Sequence, residues 1–197
     1  MSRNKPSKNK RDKTHAPVKN DAWMTIDPRP IPALLKHAPI SPLDMVWECA
    51  SGRGHMAGFL RKAGIKVYES DLIRYDAGCC LDMRQDFMKF DALPDPRIRS
   101  IITNPPNSLN IEFAMHAIDL MQPCRGVVAL YQRHEWDTNQ DSAVVFDHPA
   151  YAMKIIPRFR PRWVEPKPGE KPSSPFHKWS FYVWDWKHSG PPIIKFS

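Results

Sequence analysis

None of the apolar runs in the 197 residues approaches the roughly 20 needed to span a bilayer, so no membrane crossing is expected. The basic N-terminus is not followed by the apolar stretch that makes a secretory signal. Cys49, Cys79, Cys80 and Cys124 include no CxxC pair and no Cys/His spacing of a zinc site. These absences predict reduced thiols, no metal centre and a cytoplasmic protein. No internal repeat is present. Residues 1–20 hold almost no large apolar side chain. They are expected to be a disordered basic tail, with residues 21–197 forming a single domain around one core.

Charge is plentiful but unevenly placed. The formal net charge is +8. Residues 1–20 contribute +6, residues 21–153 contribute −4, and residues 154–178 contribute +5. A mildly acidic body with two basic segments suits a local contact with a polyanion. A solvated tail and a charged surface loop would have the same composition.

The apolar pattern alternates between short runs and helical spacing. A short helix is expected around Pro32 to His37. Met45, Val46 and Trp47 read as a strand, Ser51 to Gly54 as a turn, and Met56, Phe59, Leu60 and Ala63 as a helix closed by Gly64. Strands follow at 65–72, 98–106 and 126–132. A helix over 110–121 carries Ile111, Ala114, Met115 and Ile118 on one face. After Ala150, "AMKIIPRFRPRW" and "KWSFYVWDW" read as later strands around a proline-rich basic loop. Strands alternating with helices predict an α/β fold, with a mostly parallel central sheet and helices on both faces.

Four stretches carry candidate chemistry. In "WECASGRGH" (47–55) a strand ends in Glu48, and Gly52 and Gly54 precede a helix. Such a loop lets a ligand approach the backbone at a helix N-terminus, although a plain tight turn has the same glycines and the third glycine of a dinucleotide fingerprint is missing. Asp71 ends the next strand, about 20 residues past the glycine loop, where a carboxylate can accept from ribose hydroxyls or cap a helix. "CLDMRQDFMKF" (80–90) offers Asp82 and Asp86 to a base edge, with Phe87 beside them, or is a surface turn. "SIITNPPNSLN" (100–110) ends a buried strand in Asn104, and Pro105 and Pro106 forbid its continuation. The Asn104 side-chain oxygen and the Pro105 carbonyl are two acceptors for one amino group. Holding an NH₂ that way raises its electron density and suits methylation of a poorly nucleophilic nitrogen.

In this order the motifs resemble the class I S-adenosylmethionine-dependent methyltransferases. Within that class they look like the phage- and prophage-type N6-adenine DNA methyltransferases with an NPP(Y/F) motif. "WECASGRGH", "YESDL", "TNPPN" and "FYVW" are the counterparts here, and the likeness runs over residues 22–197. It implies a Rossmann-like fold and S-adenosyl-L-methionine as cofactor. Glu48, Ser51, Gly52 and Gly54 would line its methionine and ribose, and Asp71 would hold the ribose hydroxyls. Asp86 and Phe87 would lie by its adenine, and Thr25 in "WMTIDP" would touch the methionine carboxylate. Asn104, Pro105 and Pro106 would hold the target amino group for in-line displacement. The family pattern has Tyr or Phe where Asn107 stands, a ring that stacks on the flipped base. Trp23 and Trp136 are the aromatics considered as its replacement.

The implied partner is DNA, with RNA a lesser expectation and no membrane. Lys154, Arg158, Arg160, Arg162 and Trp163 are expected to form a phosphate- and base-contacting strand edge, since prolines favour an edge. The charge pattern also fits an edge strand protected from pairing. The competing functions are methylation of RNA or of a protein amide, and a degenerate methyltransferase fold that binds nucleic acid without catalysis.

Overall fold

The computed structural model describes residues 25–75, 80–163 and 177–197. The basic tail 1–20, Trp23 and most of the proline-rich loop lie outside the described residues. In chain order the elements are α1 (Pro30–His37), β1 (Met45–Glu48), α2 (His55–Lys62), β2 (Lys66–Asp71), β3 (Met83–Arg84), β4 (Ile98–Thr103), α3 (Asn110–Met121), β5 (Val127–Arg133), α4 (Ala143–Phe146), β6 (Tyr151–Ile156), β7 (Trp179–Asp185) and β8 (Ile193–Phe196).

The strands form one sheet in the order β3-β2-β1-β4-β5-β7-β6-β8. Every neighbouring pair is parallel except the two that involve β7. The carboxyl ends of seven strands and the amino end of β7 therefore share one rim. Because β2 leaves β1 on one side and β4 adjoins it on the other, the chain direction reverses at the β1/β4 boundary. Open α/β sheets bind ligands at such a switch point.

Alternation along the central strands divides the core. In β5, Val127, Ala129 and Tyr131 pack with α1 and α2, while Val128 and Leu130 pack with α3. β7 repeats the pattern with Phe181 and Val183 on the first face and Tyr182 and Trp184 on the second. Trp47 of β1 is fully buried, meets Phe87 and Phe90 edge-on at 5.3 and 4.8 Å, and donates its indole N–H to Ser70 Oγ at 2.8 Å. The expected α/β architecture, with a mostly parallel sheet covered on both faces, is the observed one.

Three local expectations change. The strand expected over 98–106 ends at Thr103, because Pro105 lacks the N–H that a ladder needs. On α3 the buried stripe is Phe113, Ala114, Ala117, Ile118 and Met121, leaving Ile111 and Met115 only half-buried. Finally, β6 is not an edge: β8 pairs with it in parallel from Met153–Ile193 to Ile156–Phe196. Pro157 comes one residue after β6 ends, so it does not interrupt pairing.

Candidate functional site

Glu48, Asp71 and Asn104 reach the shared rim because each ends a buried parallel strand or stands one residue past it. Between β1 and α2 the chain turns through Gly52 (φ +59°) and Gly54 (φ +76°). A Cβ on Gly54 would lie 3.2 Å from Glu69 Oε2, so this glycine makes room for a buried carboxylate of the protein itself. Ser51 donates to that same oxygen at 2.5 Å, and Arg61 closes the ion pair from α2. The turn is thereby anchored to β2.

Asp71 is 8% exposed and accepts from the Gly52 N–H at 2.8 Å and from the Ile73 N–H at 2.9 Å. Burial pushes its carboxyl up, and those N–H groups pull it partly back. Each of its oxygens keeps a second lone pair for a hydroxyl donor. Glu48, 1% exposed, is pushed up to about 8 by burial, with the Thr103 hydroxyl and the Ala50 N–H acting the other way. A buried carboxyl raised this far is a seat for a cationic group, which would restore its charge.

Thr25, Glu48, Ser51, Gly52, His55, Met56 and Asn104 enclose a small space of about 30 Å³ over the switch point. It is wide enough for one small polar group. Asn104 donates its Nδ2 to Thr25 Oγ1 at 3.2 Å across it. Five of the expected residues thus meet here: Thr25, Glu48, Ser51, Gly52 and Asn104. His55 joins them from the first turn of α2, with its Nδ1 buried and no hydrogen-bond partner among the described residues.

Pro105 is buried, and its carbonyl accepts from Gln132 Nε2 at 2.9 Å. Gln132 is fully buried near the end of β5, and its Oε1 has no partner among the described residues. Asn107 opens the turn before α3, and its Oδ1 is likewise buried with no partner among the described residues. The expected acceptor pair at Asn104 and Pro105 is therefore bordered by two more amide oxygens. Neither His55 nor Gln132 was singled out from the sequence. Gln132 was detectable by the logic that found Asn104, as a polar amide closing a buried apolar run.

Other expected residues lie elsewhere. Phe87 is 2% exposed, stacked on Phe113 at 4.8 Å, so its ring belongs to the core and is not a surface for a ligand base. Asp86 accepts from the Met88 N–H and caps a short turn, and Asp82 accepts from the Glu69 N–H. Trp136 is 3% exposed and packs edge-on to Tyr182, so it does not replace the ring missing at Asn107. Pro106 is half-buried beside Pro105.

The basic segment divides in two. Lys154 does not lie on an edge: it is 8% exposed in the interior strand β6 and donates to Asp137 at 2.7 Å and to the His134 carbonyl at 2.8 Å. Trp163 packs on Trp179 at 4.4 Å. Arg158, Arg160 and Arg162, by contrast, line an open cleft of about 750 Å³ on the same rim. Asp27 joins the two regions. It accepts from Arg29 and from the Arg162 N–H, two residues along the chain from Thr25. Burial raises the Asp27 carboxyl, but those donors outweigh it and hold it below the usual range.

No family model matches the chain, and no curated protein matches it. Solved structures do. A protein described as a class I S-adenosylmethionine-dependent methyltransferase from Listeria monocytogenes superposes with a TM-score of 0.59 at 13% identity, over 91% of this chain and 67% of its own. TrmN from Thermus thermophilus gives a TM-score of 0.50 at 22% identity, over 80% of this chain and 48% of its own. The 1,6-didemethyltoxoflavin-N1-methyltransferase of Burkholderia thailandensis, solved with S-adenosylhomocysteine, gives 0.50 at 12% identity, over 84% of this chain and 79% of its own. The chain thus has the α/β fold of the class I methyltransferases.

Proposed function

We propose that the protein is an S-adenosylmethionine-dependent amino-methyltransferase that methylates N6 of adenine in DNA. The observation that carries this reading is the placement of Asn104 and the Pro105 carbonyl across the switch point from Glu48. Two strand-end carboxyls and a glycine turn suit the cofactor, and a cluster of amide acceptors suits an NH₂ donor.

Bound there, S-adenosylmethionine supplies a sulfonium methyl group, an electrophile for an amino nitrogen. Glu48 would take the ammonium group of its amino-acid end, and Asp71 its ribose hydroxyls. Thr25 lines the small space beside them. Its bond from Asn104 Nδ2 sets the amide so that Oδ1 faces the opposite way. Gln132 fixes the Pro105 peptide while leaving its carbonyl a second lone pair. The target amino group would then be held between the Asn104 and Pro105 oxygens. Positioning carries most of the rate. Asn107 offers a buried amide oxygen in place of a stacking ring, so the base is held by hydrogen bonds.

Labelled S-adenosylmethionine incubated with single-stranded DNA, duplex DNA and RNA tests this reading. The account expects label in adenine of DNA and its loss in Asn104→Ala. Cofactor binding without transfer to any nucleic acid supports the alternative, a binding protein without catalysis, which the aromatic missing at Asn107 favours.

A further inference from the structure

The 750 Å³ cleft is built from the ends of four strands that the fold brings together. Ile156 and Pro157 come from the end of β6, Phe196 from β8, His134 from just past β5, and Lys178 from just before β7. Arg29 and the segment Arg158 to Arg162 complete it. Five of its side chains are cationic, and among the described residues no carboxylate lines it. Among the described residues, no carboxylate forms an ion pair with Arg158, Arg160, Arg162 or Lys178. Arg29, by contrast, is neutralised by Asp27.

Two phenyl rings lie among these cations. The Phe159 ring sits under the Arg29 guanidinium at 4.4 Å, and Phe196 is 53% exposed with Arg158 over it at 5.4 Å. A basic groove with accessible rings is the composition that tracks a single strand. The cations follow phosphates, and the rings stack base faces. A duplex hides its base faces and offers no such partner. A space of this size matches a small ligand or a short run of nucleotides, and is too small to admit a double helix.

We propose that this cleft binds single-stranded DNA flanking the target base, with Phe196 as a stacking platform and Arg158, Arg160, Arg162 and Lys178 on the phosphates. The proposal rests on the methyltransferase reading only for the identity of the polymer. The cleft lies beside the candidate reacting centre. Lys154 and Ser180 hold His134 two residues past Gln132, and Asp27 links Arg29 to the segment bearing Thr25.

The test uses the full chain, without cofactor, and dye-labelled oligothymidylate, which contains no adenine to be methylated. Fluorescence anisotropy should show the single strand binding about tenfold or more tighter than the same strand paired with oligoadenylate. Phe196→Ala should weaken single-strand binding by about 5- to 100-fold. Arg158→Ala and Lys178→Ala should each lower the slope of log K against log salt by about 0.7. Duplex binding as tight as single-strand binding, or an unchanged affinity in Phe196→Ala, overturns the proposal. Tighter binding of oligouridylate than of oligothymidylate overturns the assignment to DNA. If the wild type then transfers no methyl group while these affinities hold, the enzymatic reading fails and the cleft stands.

Discussion

At the scale of single residues, Glu48 is the most informative. Burial pushes its carboxyl up to about 8 in the folded chain, from an ordinary 4.5. Between those values the native state binds more protons than the unfolded one, so this group makes stability fall as pH rises. The linkage is about 1.4 kcal/mol per unit of separation, before relaxation reduces it. Glu48→Gln should therefore gain stability over the wild type between pH 5 and pH 8, read by urea denaturation at the two values. A ligand ammonium group seated against Glu48 should also expel its proton. Calorimetric titration with S-adenosylhomocysteine near pH 7, in two buffers of different ionisation heat, should show proton release in the wild type and none in Glu48→Gln. Lys154 makes an opposite kind of case. Removing its partner in Asp137→Ala strands a buried ammonium and should cost about 2–3 kcal/mol, while Lys154→Met in the same chain should recover most of it. The sequence read Lys154 as a surface cation because it shares a basic run with Arg158 to Arg162. Nothing local in that run reveals that Asp137, 17 residues earlier, folds over it.

At the scale of elements, legibility followed the strength of the period. The helix expected over 110–121 is α3, with the same bounds, and Gly64 follows α2 with φ +85° as a helix terminator does. β8 was missed, because four residues behind two prolines, three of them exposed, show no alternation to detect. The prolines that follow β6 made it look like an edge, yet the strand they suggested was unpaired is covered by β8. The glycine turn was correctly placed, but its reason is internal. Gly54→Ala forces a side chain into a left-handed backbone and against Glu69, and should cost about 1–2 kcal/mol, measured as a fall in urea midpoint with unchanged slope. At the turn between α3 and β5 a Cβ on Gly126 would lie 2.6 Å from the Arg99 carbonyl oxygen and run into the end of Met121. The Arg99 oxygen belongs to a strand backbone that cannot yield. Gly126→Ala should cost about 3 kcal/mol in the same measurement, more than Gly54→Ala.

At the scale of the molecule, parallel strands gather chemistry that the sequence scatters. Glu48, Asp71, Asn104 and Gln132 span 85 positions of the chain yet stand on one rim, because each lies within a residue of the end of a buried strand pointing the same way. The first three were legible as strand-ending polar residues. Their convergence was legible only through the family likeness, since spacing alone does not say which strands are neighbours. The basic cleft was half legible: three of its arginines alternate along one short segment, but Lys178, Phe196 and Arg29 arrive from distant segments. The central claim is that Asn104 holds an adenine amino group beside the cofactor. It is tested most directly by digesting DNA treated with S-adenosylmethionine and the protein to nucleosides and measuring N6-methyldeoxyadenosine by mass spectrometry. The account predicts the modified nucleoside with the wild type, and a loss of about a hundredfold or more with Asn104→Ala while S-adenosylhomocysteine binding is kept within a few-fold. Equal yields from the two proteins, or methyl groups on another base alone, would contradict it.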